Sequence, residues 1–81
     1  MPVIYVGDGL TVKVFTREHR PPHVHVFCRD GEAIIVIGAP GEDPEVRAVY
    51  GLRTWEVARA VEIVRENQAA FRDAWRKYHG Y

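Results

Sequence analysis

Apolar and polar positions alternate along the first half of the chain and recur every three to four residues along the second. Val3–Val6 is a short β-branched and aromatic run, stopped by Gly7-Asp8-Gly9, a turn in which glycine takes positive φ at little steric cost. In Thr11–Thr16, Val12 and Val14 share one face, and Thr11, Lys13 and Phe15 share the other. That period is a strand's, and the two runs are expected to pair as a hairpin. His23–Cys28 alternates again, with Val24, Val26 and Cys28 on one side and His23, His25 and Phe27 on the other. Arg29-Asp30-Gly31 carries the Asp-Gly hairpin signal. Glu32–Ile37 follows, unbroken in apolar character from Ala33, as in a central strand covered on both faces. After the loop Gly38–Pro44, expected to be the most flexible internal segment, Glu45–Tyr50 reads as a fourth or edge strand with Val46, Ala48 and Tyr50 on one face.

From Thr54 the period becomes helical. Thr54 is the expected N-cap, with Glu56 in the first turn to complement the dipole. Val57, Ala60, Val61 and Val64 form the i, i+3, i+4, i+7 stripe, and Glu56, Arg59, Glu62 and Glu66 fall on the far side. Asn67 separates this helix from a second, whose stripe is Phe71, Ala74, Trp75 and Tyr78 and whose stop is Gly80. Both stripes read as core that packs on the sheet. The pattern therefore predicts one α+β domain over residues 1–81: a three- or four-stranded, mainly antiparallel sheet followed by two helices packed on one face. The expected core is Val12, Val14, Val24, Val26, Ile35 and Ile37 from the sheet. The helices contribute Val57, Val61, Val64, Phe71, Trp75 and Tyr78.

Eighty-one residues suit one domain that buries roughly 60–65% of the surface its unfolded chain exposes, so the core is modest and a partner or self-association would add to it. Formal net charge is zero with neutral histidines, which gives no bulk attraction to nucleic acid; local contact with nucleic acid is left open. One cysteine, Cys28, forbids an internal disulfide and fits a reducing compartment. The N-terminal residues have no secretory pattern, and no apolar run approaches the roughly 18–20 residues that span a bilayer. A cytoplasmic protein without a membrane partner is the expectation.

The candidate chemistry lies in Glu18-His19-Arg20-Pro21-Pro22-His23-Val24-His25, which holds three of the four histidines and two of the five prolines. Successive prolines remove two backbone donors and stiffen the approach to the next strand. In a strand, His-x-His puts both imidazoles on one face, about 6.5–7 Å apart along the chain. Two such rings can converge on one transition-metal ion such as zinc, with His19 as a third nitrogen and Glu18 or another acid to complete the set. The ligand candidates are thus His19, His23 and His25. The same pair, His23 and His25, can instead divide the acid and base roles of a metal-independent ribonuclease, with Arg17, Arg20 or Arg29 neutralising phosphate. A third reading is direct binding of a partner through His19, Arg20, Pro22, His23 and His25. The structural alternative is that the rings cover a sheet face or hydrogen-bond the backbone of the proline bend. No serine occurs, and Cys28 is expected inward, so a serine or cysteine nucleophile is not expected. If helices cover the valine face, the histidines are left open to water.

His19-Arg20-Pro21-Pro22-His23-Val24-His25 resembles the signature of the Domain of Unknown Function 4160 family of small prokaryotic proteins. Val64-Arg65-Glu66-Asn67-Gln68 and Ala74-Trp75-Arg76-Lys77-Tyr78-His79-Gly80 are similar to that family's C-terminal helices. The resemblance implies a small α+β protein, in some members predicted to be one component of a toxin–antitoxin-type gene pair. It marks His19, Pro22, His23 and His25 as positions of a functional site, with no established catalytic role to carry over. As a toxin the chain would act on RNA; as an antitoxin it would bind a protein. The expected function is a small interaction module with a histidine-rich surface site, with metal binding and ribonuclease activity as alternatives.

Overall fold

A computed structural model describes residues 1–81 and has the order β1 (Val3–Gly7), β2 (Leu10–Lys13), β3 (His23–Cys28), β4 (Gly31–Val36), β5 (Glu45–Tyr50), α1 (Thr54–Glu66) and α2 (Gln68–His79). The five strands form one antiparallel meander in chain order. The expected α+β class holds, but the sheet has five strands where three or four were expected. Each apolar run had in fact a neighbour to pair with, and both the N-terminal run and Glu45–Tyr50 became edge strands. No helix is long and apolar enough to cross a membrane.

Register sorts the two faces. Val12, Val26, Ala33 and Val49 lie in one row, and Val24, Ile35 and Val46 in another. These rows face the helices. Lys13, His25, Ile34 and Ala48 form a row on the opposite side, and Thr11, Phe27, Glu32 and Tyr50 the next. Thirteen buried apolar residues make the core: Leu10, Val12, Val14, Val24, Val26, Ala33, Ile35, Ile37, Ala60, Ile63, Val64, Phe71 and Trp75. Each large aliphatic or aromatic side chain so buried contributes about 1.5–3 kcal/mol.

All six expected sheet positions are core. On the helices the stripe is rotated: Glu56, Ala60, Ile63 and Val64 are buried, while Val57 and Val61 are half-buried and Tyr78 is exposed. Apolar spacing alone did not locate the seam, because Glu56 belongs to it. Its carboxylate accepts bonds from the Arg29 guanidinium (Nε at 2.9 Å), the Arg53 backbone N–H at 2.7 Å and the Cys28 thiol at 3.2 Å. A buried carboxylate is tolerated only with such partners. The Arg29 guanidinium, the Arg53 N–H and the Cys28 thiol together hold the Glu56 carboxyl down at about 2 against the pull of burial. Hydrogen bonding to Glu56, then burial, raises the Cys28 thiol, so Cys28 is no nucleophile. Arg53, not Thr54, is the N-cap of α1.

Two turns differ in chemistry. Between β1 and β2 positive φ falls on Asp8 and Gly9; the expected glycine conformation holds for Gly9, while Gly7 stays in β1. Between β3 and β4 the turn is centred on Arg29 and Asp30, and Gly31 already pairs with Cys28. Gly31 is required instead by close approach: a Cβ there would lie 2.6 Å from the Gly51 carbonyl oxygen and 2.8 Å from that of Tyr50. Both edge pairings, β1–β2 and β4–β5, contain an irregularity of register, a device that blunts strand edges. The Gly38–Pro44 loop is fastened rather than loose. Buried Gln68 donates to the carbonyls of Ile37 (2.9 Å) and Glu42 (2.7 Å), Arg72 donates to that of Gly38 at 3.2 Å, and Pro44 is buried.

Gly31→Ala should cost about 1–3 kcal/mol through overpacking against backbone that cannot yield, seen as a thermal midpoint lowered by roughly 4 °C or more. The depressed Glu56 carboxyl stabilises the fold fully above its unfolded value near 4.5, and this contribution is lost as pH falls toward 2. In urea titrations the stability gap between the natural chain and Glu56→Gln should therefore be wide at neutral pH and narrow steadily below pH 4.5.

Candidate metal centre

β3 supplies two imidazoles to one face because alternation forces it. His23 and His25 share a face, their ring centroids 5.6 Å apart, while Val24 between them goes to the core. The chain between β2 and β3 then folds back over them. Phe15 stacks on the His25 ring at 3.8 Å and 17°. Glu18 turns its carboxylate inward, and one oxygen, Oε1, lies 2.8 Å from His23 Nε2 and 2.6 Å from His25 Nε2. The face expected to stand open to water is thus closed at this point: His25 is only 4% exposed. Helix α2 adds a wall, since the Trp75 ring lies 5.1 Å from that of His23.

The other ring nitrogens are also committed. His23 Nδ1 donates to the Pro21 carbonyl oxygen at 2.8 Å, and His25 Nδ1 lies 2.6 Å from Glu32 Oε2. Glu32 reaches His25 diagonally, because β4 places it opposite Phe27 and two residues from Ile34, the partner of His25. The expected bond from histidine to the proline bend therefore exists, and it leaves Nε2 free for other work. A carbonyl oxygen only accepts, so Nδ1 of His23 carries a proton. The Nε2 lone pair of His23 therefore points at the Glu18 carboxylate, and His25 Nε2 meets the same oxygen, so a cation held there would be shared by all three atoms.

Glu18, His23 and His25 each offer one ligand atom, all within 4.8 Å of one another. Two imidazole nitrogens and one carboxylate oxygen suit a first-row divalent ion and leave positions open. Nitrogen and oxygen ligands about 2.0–2.2 Å from such an ion stand about 3–3.5 Å apart. An outward movement of Glu18 by a few tenths of an ångström would bring its two distances to the histidine nitrogens to that spacing, and its side chain, one-third exposed, has room to make it. Burial pushes the Glu18 carboxyl up, but hydrogen bonds and charge from His25 and His23 outweigh this and hold it below the usual carboxylate value.

The remaining expected site residues stand apart. His19 is exposed and outside the group, and the residue that stands with His23 and His25 is Glu18. The proline bend turns His19 outward while its neighbour turns in. Arg20 is exposed, its guanidinium 4.3 Å from the centre of the Tyr81 ring, and the Arg20–Pro21 bond is cis. Pro22 is a backbone element: its carbonyl accepts the Ile37 N–H at 3.0 Å and pins the start of β3. Glu32 and Phe15 were missed as site residues. Register gave the signal for Glu32, two positions along from the cross-strand partner of His25, but it requires the turn to be placed correctly first. Phe15 was placed by alternation on the face of Lys13, the partner of His25, and that register was its signal.

His79 buttresses the group from the far end of the chain. Its ring stacks on Trp75 at 3.6 Å, with Nδ1 2.9 Å from the Trp75 carbonyl and Nε2 2.9 Å from that of Phe15.

The family model for a domain of unknown function, DUF4160, matches residues 9–76. No curated protein and no solved structure matches the chain. The matched stretch takes in β2 through β5, the whole Glu18–His23–His25 group and nearly all of both helices, and the chain belongs to this family of unknown function.

Proposed function

We propose that this protein binds a divalent first-row transition metal through Glu18 Oε1, His23 Nε2 and His25 Nε2, with coordination positions left open. One observation carries the reading: a single carboxylate oxygen lies within 2.8 Å of two imidazole Nε2 atoms whose Nδ1 atoms are both already partnered. Ligating histidines commonly give their second nitrogen to a carboxylate or a backbone carbonyl, which fixes the tautomer and ring orientation. Glu32 and Pro21 occupy those two places. A bound divalent ion supplies a Lewis acid and the means to activate water. The chain's own residues orient the rings and screen them with Phe15 and Trp75.

A metal-independent ribonuclease draws less support from the same geometry. His25 is held between two carboxylates beneath Phe15, out of reach of a phosphodiester that needs both rings. A second reading, an interaction module of toxin–antitoxin type, is favoured by a different feature. Val46, Val49, Tyr50 and Trp55 are all exposed along β5 and the start of α1. Val46 and Val49 lie on the helix side of this edge strand and Tyr50 on the other, and so many exposed apolar side chains about one edge of a small domain suit a protein partner.

Untagged protein should bind zinc or cobalt at one equivalent, and His25→Ala and Glu18→Gln should reduce bound metal to background in elemental analysis. Glu32→Gln keeps all three ligands and should weaken binding by about 10–100-fold, since it removes only the group that orients His25. Equal, negligible metal in the natural chain and His25→Ala would end the reading. For the interaction module, co-purification with the neighbouring gene's product should succeed at micromolar concentration and fail for Tyr50→Glu with Trp55→Glu.

A further inference from the structure

The cations of this chain are sorted by place. Of eleven Lys and Arg residues, Arg29, Arg47, Arg59, Arg65 and Arg76 face carboxylates. Of the six others, Arg53, Arg72 and Lys77 lie elsewhere, while Lys13 ends β2 and Arg17 and Arg20 belong to the segment that follows it and covers the metal-ligand group. Lys13 stands opposite His25 across the β2–β3 pairing, its ammonium 5.0 Å from the Phe27 ring centre. Arg20 lies over Tyr81. Arg17 has neither an ion pair nor an aromatic partner. It is exposed, precedes Glu18, and with Met1, Phe15, Thr16 and Glu18 lines an open cavity of about 320 Å³.

Glu18 is therefore common to two places. One carboxylate oxygen meets the imidazoles, and the residue also lines the cavity. Phe15 covers His25 and Trp75 lies beside His23, which leaves the side of Glu18 next to the cavity. Charge points the same way. A divalent ion (+2) with Glu18 and Glu32 (−1 each) sums to zero, and Lys13, Arg17 and Arg20 add three positive charges around it. A metal with open positions in a net positive surround attracts an anion. A guanidinium is the side chain best shaped to grip one, since it presents paired N–H groups that match a carboxylate or phosphate. The cavity lies at the small end of the range for ligand sites and suits a small group rather than a polymer.

We propose that the cavity beside Glu18 takes a small oxyanion, a carboxylate or phosphate group, which fills an open position on the metal and is gripped by Arg17. The inference rests on the metal-centre reading. It assigns to Arg17, which the histidine signature does not include, the role of the anion-binding residue.

The test uses full-length untagged protein loaded with cobalt, whose visible absorption reports its ligands. Inorganic phosphate and acetate are titrated separately. The expected result is a saturable change in the cobalt bands with at least one of the two anions, and the tighter of them fixes the class. Arg17→Gln should still bind cobalt but lose roughly tenfold or more in apparent anion affinity, the usual consequence of removing a charge-assisted bond. Lys77→Gln, which removes an exposed cation elsewhere on the surface, should match the natural chain. No band change with either anion, equal affinity in Arg17→Gln, or equal phosphate binding by metal-free protein in equilibrium dialysis would overturn the proposal. Failure to develop cobalt bands before any anion is added would refute the metal centre itself, so the two failures are separable.

Discussion

The antiparallel pairing of β3 with β4 places Val24 against Ile35 and Val26 against Ala33 on the helix side, and His25 against Ile34 on the other. Everything in the candidate site follows from that register. Slipping it by one residue would drive two imidazoles into the apolar seam and turn two valines out, at a cost no local contact could offset. The fixed register also sets Glu32 on the diagonal of His25, where a long side chain reaches the ring. The hydrophobic effect thus orients the polar groups without touching them.

Over this base the Phe15–Pro22 segment adds what a flat sheet cannot. A strand face presents its side chains side by side and open to water. Here a returning segment lays an aromatic ring over His25 and a carboxylate between the two Nε2 atoms. Partial exclusion of water strengthens electrostatic interaction within the group and makes unpaired charge there costly. Two carboxylates facing two imidazoles consequently favour positive charge among them, which the proposed divalent ion would supply with one particle. The buried Glu56 at the other end of the hairpin shows the opposite solution: its charge is answered fully by Arg29, the Arg53 N–H and the Cys28 thiol, and nothing further is needed.

The alternation of β2, β3 and β4 made the fold and its sheet core readable residue by residue, down to Val12, Val14, Val24, Val26, Ile35 and Ile37. His23 and His25 were legible as a pair for the same reason. Glu56 was not, because a charged residue in a helical stripe enters the core only through partners distant in sequence. His19 and Glu18 exchanged expected importance at the proline bend, where no repeating period tells which side chain turns inward. Arg17 lies in the same aperiodic stretch. Pattern reads the elements; the residues that connect them must be seen in place.

The stack of His79 on Trp75, and its reach to the Phe15 carbonyl, links positions 64 residues apart. Phe15 covers His25, so the cover of the site is supported by the final turn of the last helix. Helix ends fray at far lower free energy than the whole domain unfolds. Gly80, in the left-handed conformation with its N–H bonded to the Arg76 carbonyl, closes that turn. The cover over His25 thus depends on the last turn of the chain as well as on the sheet beneath it.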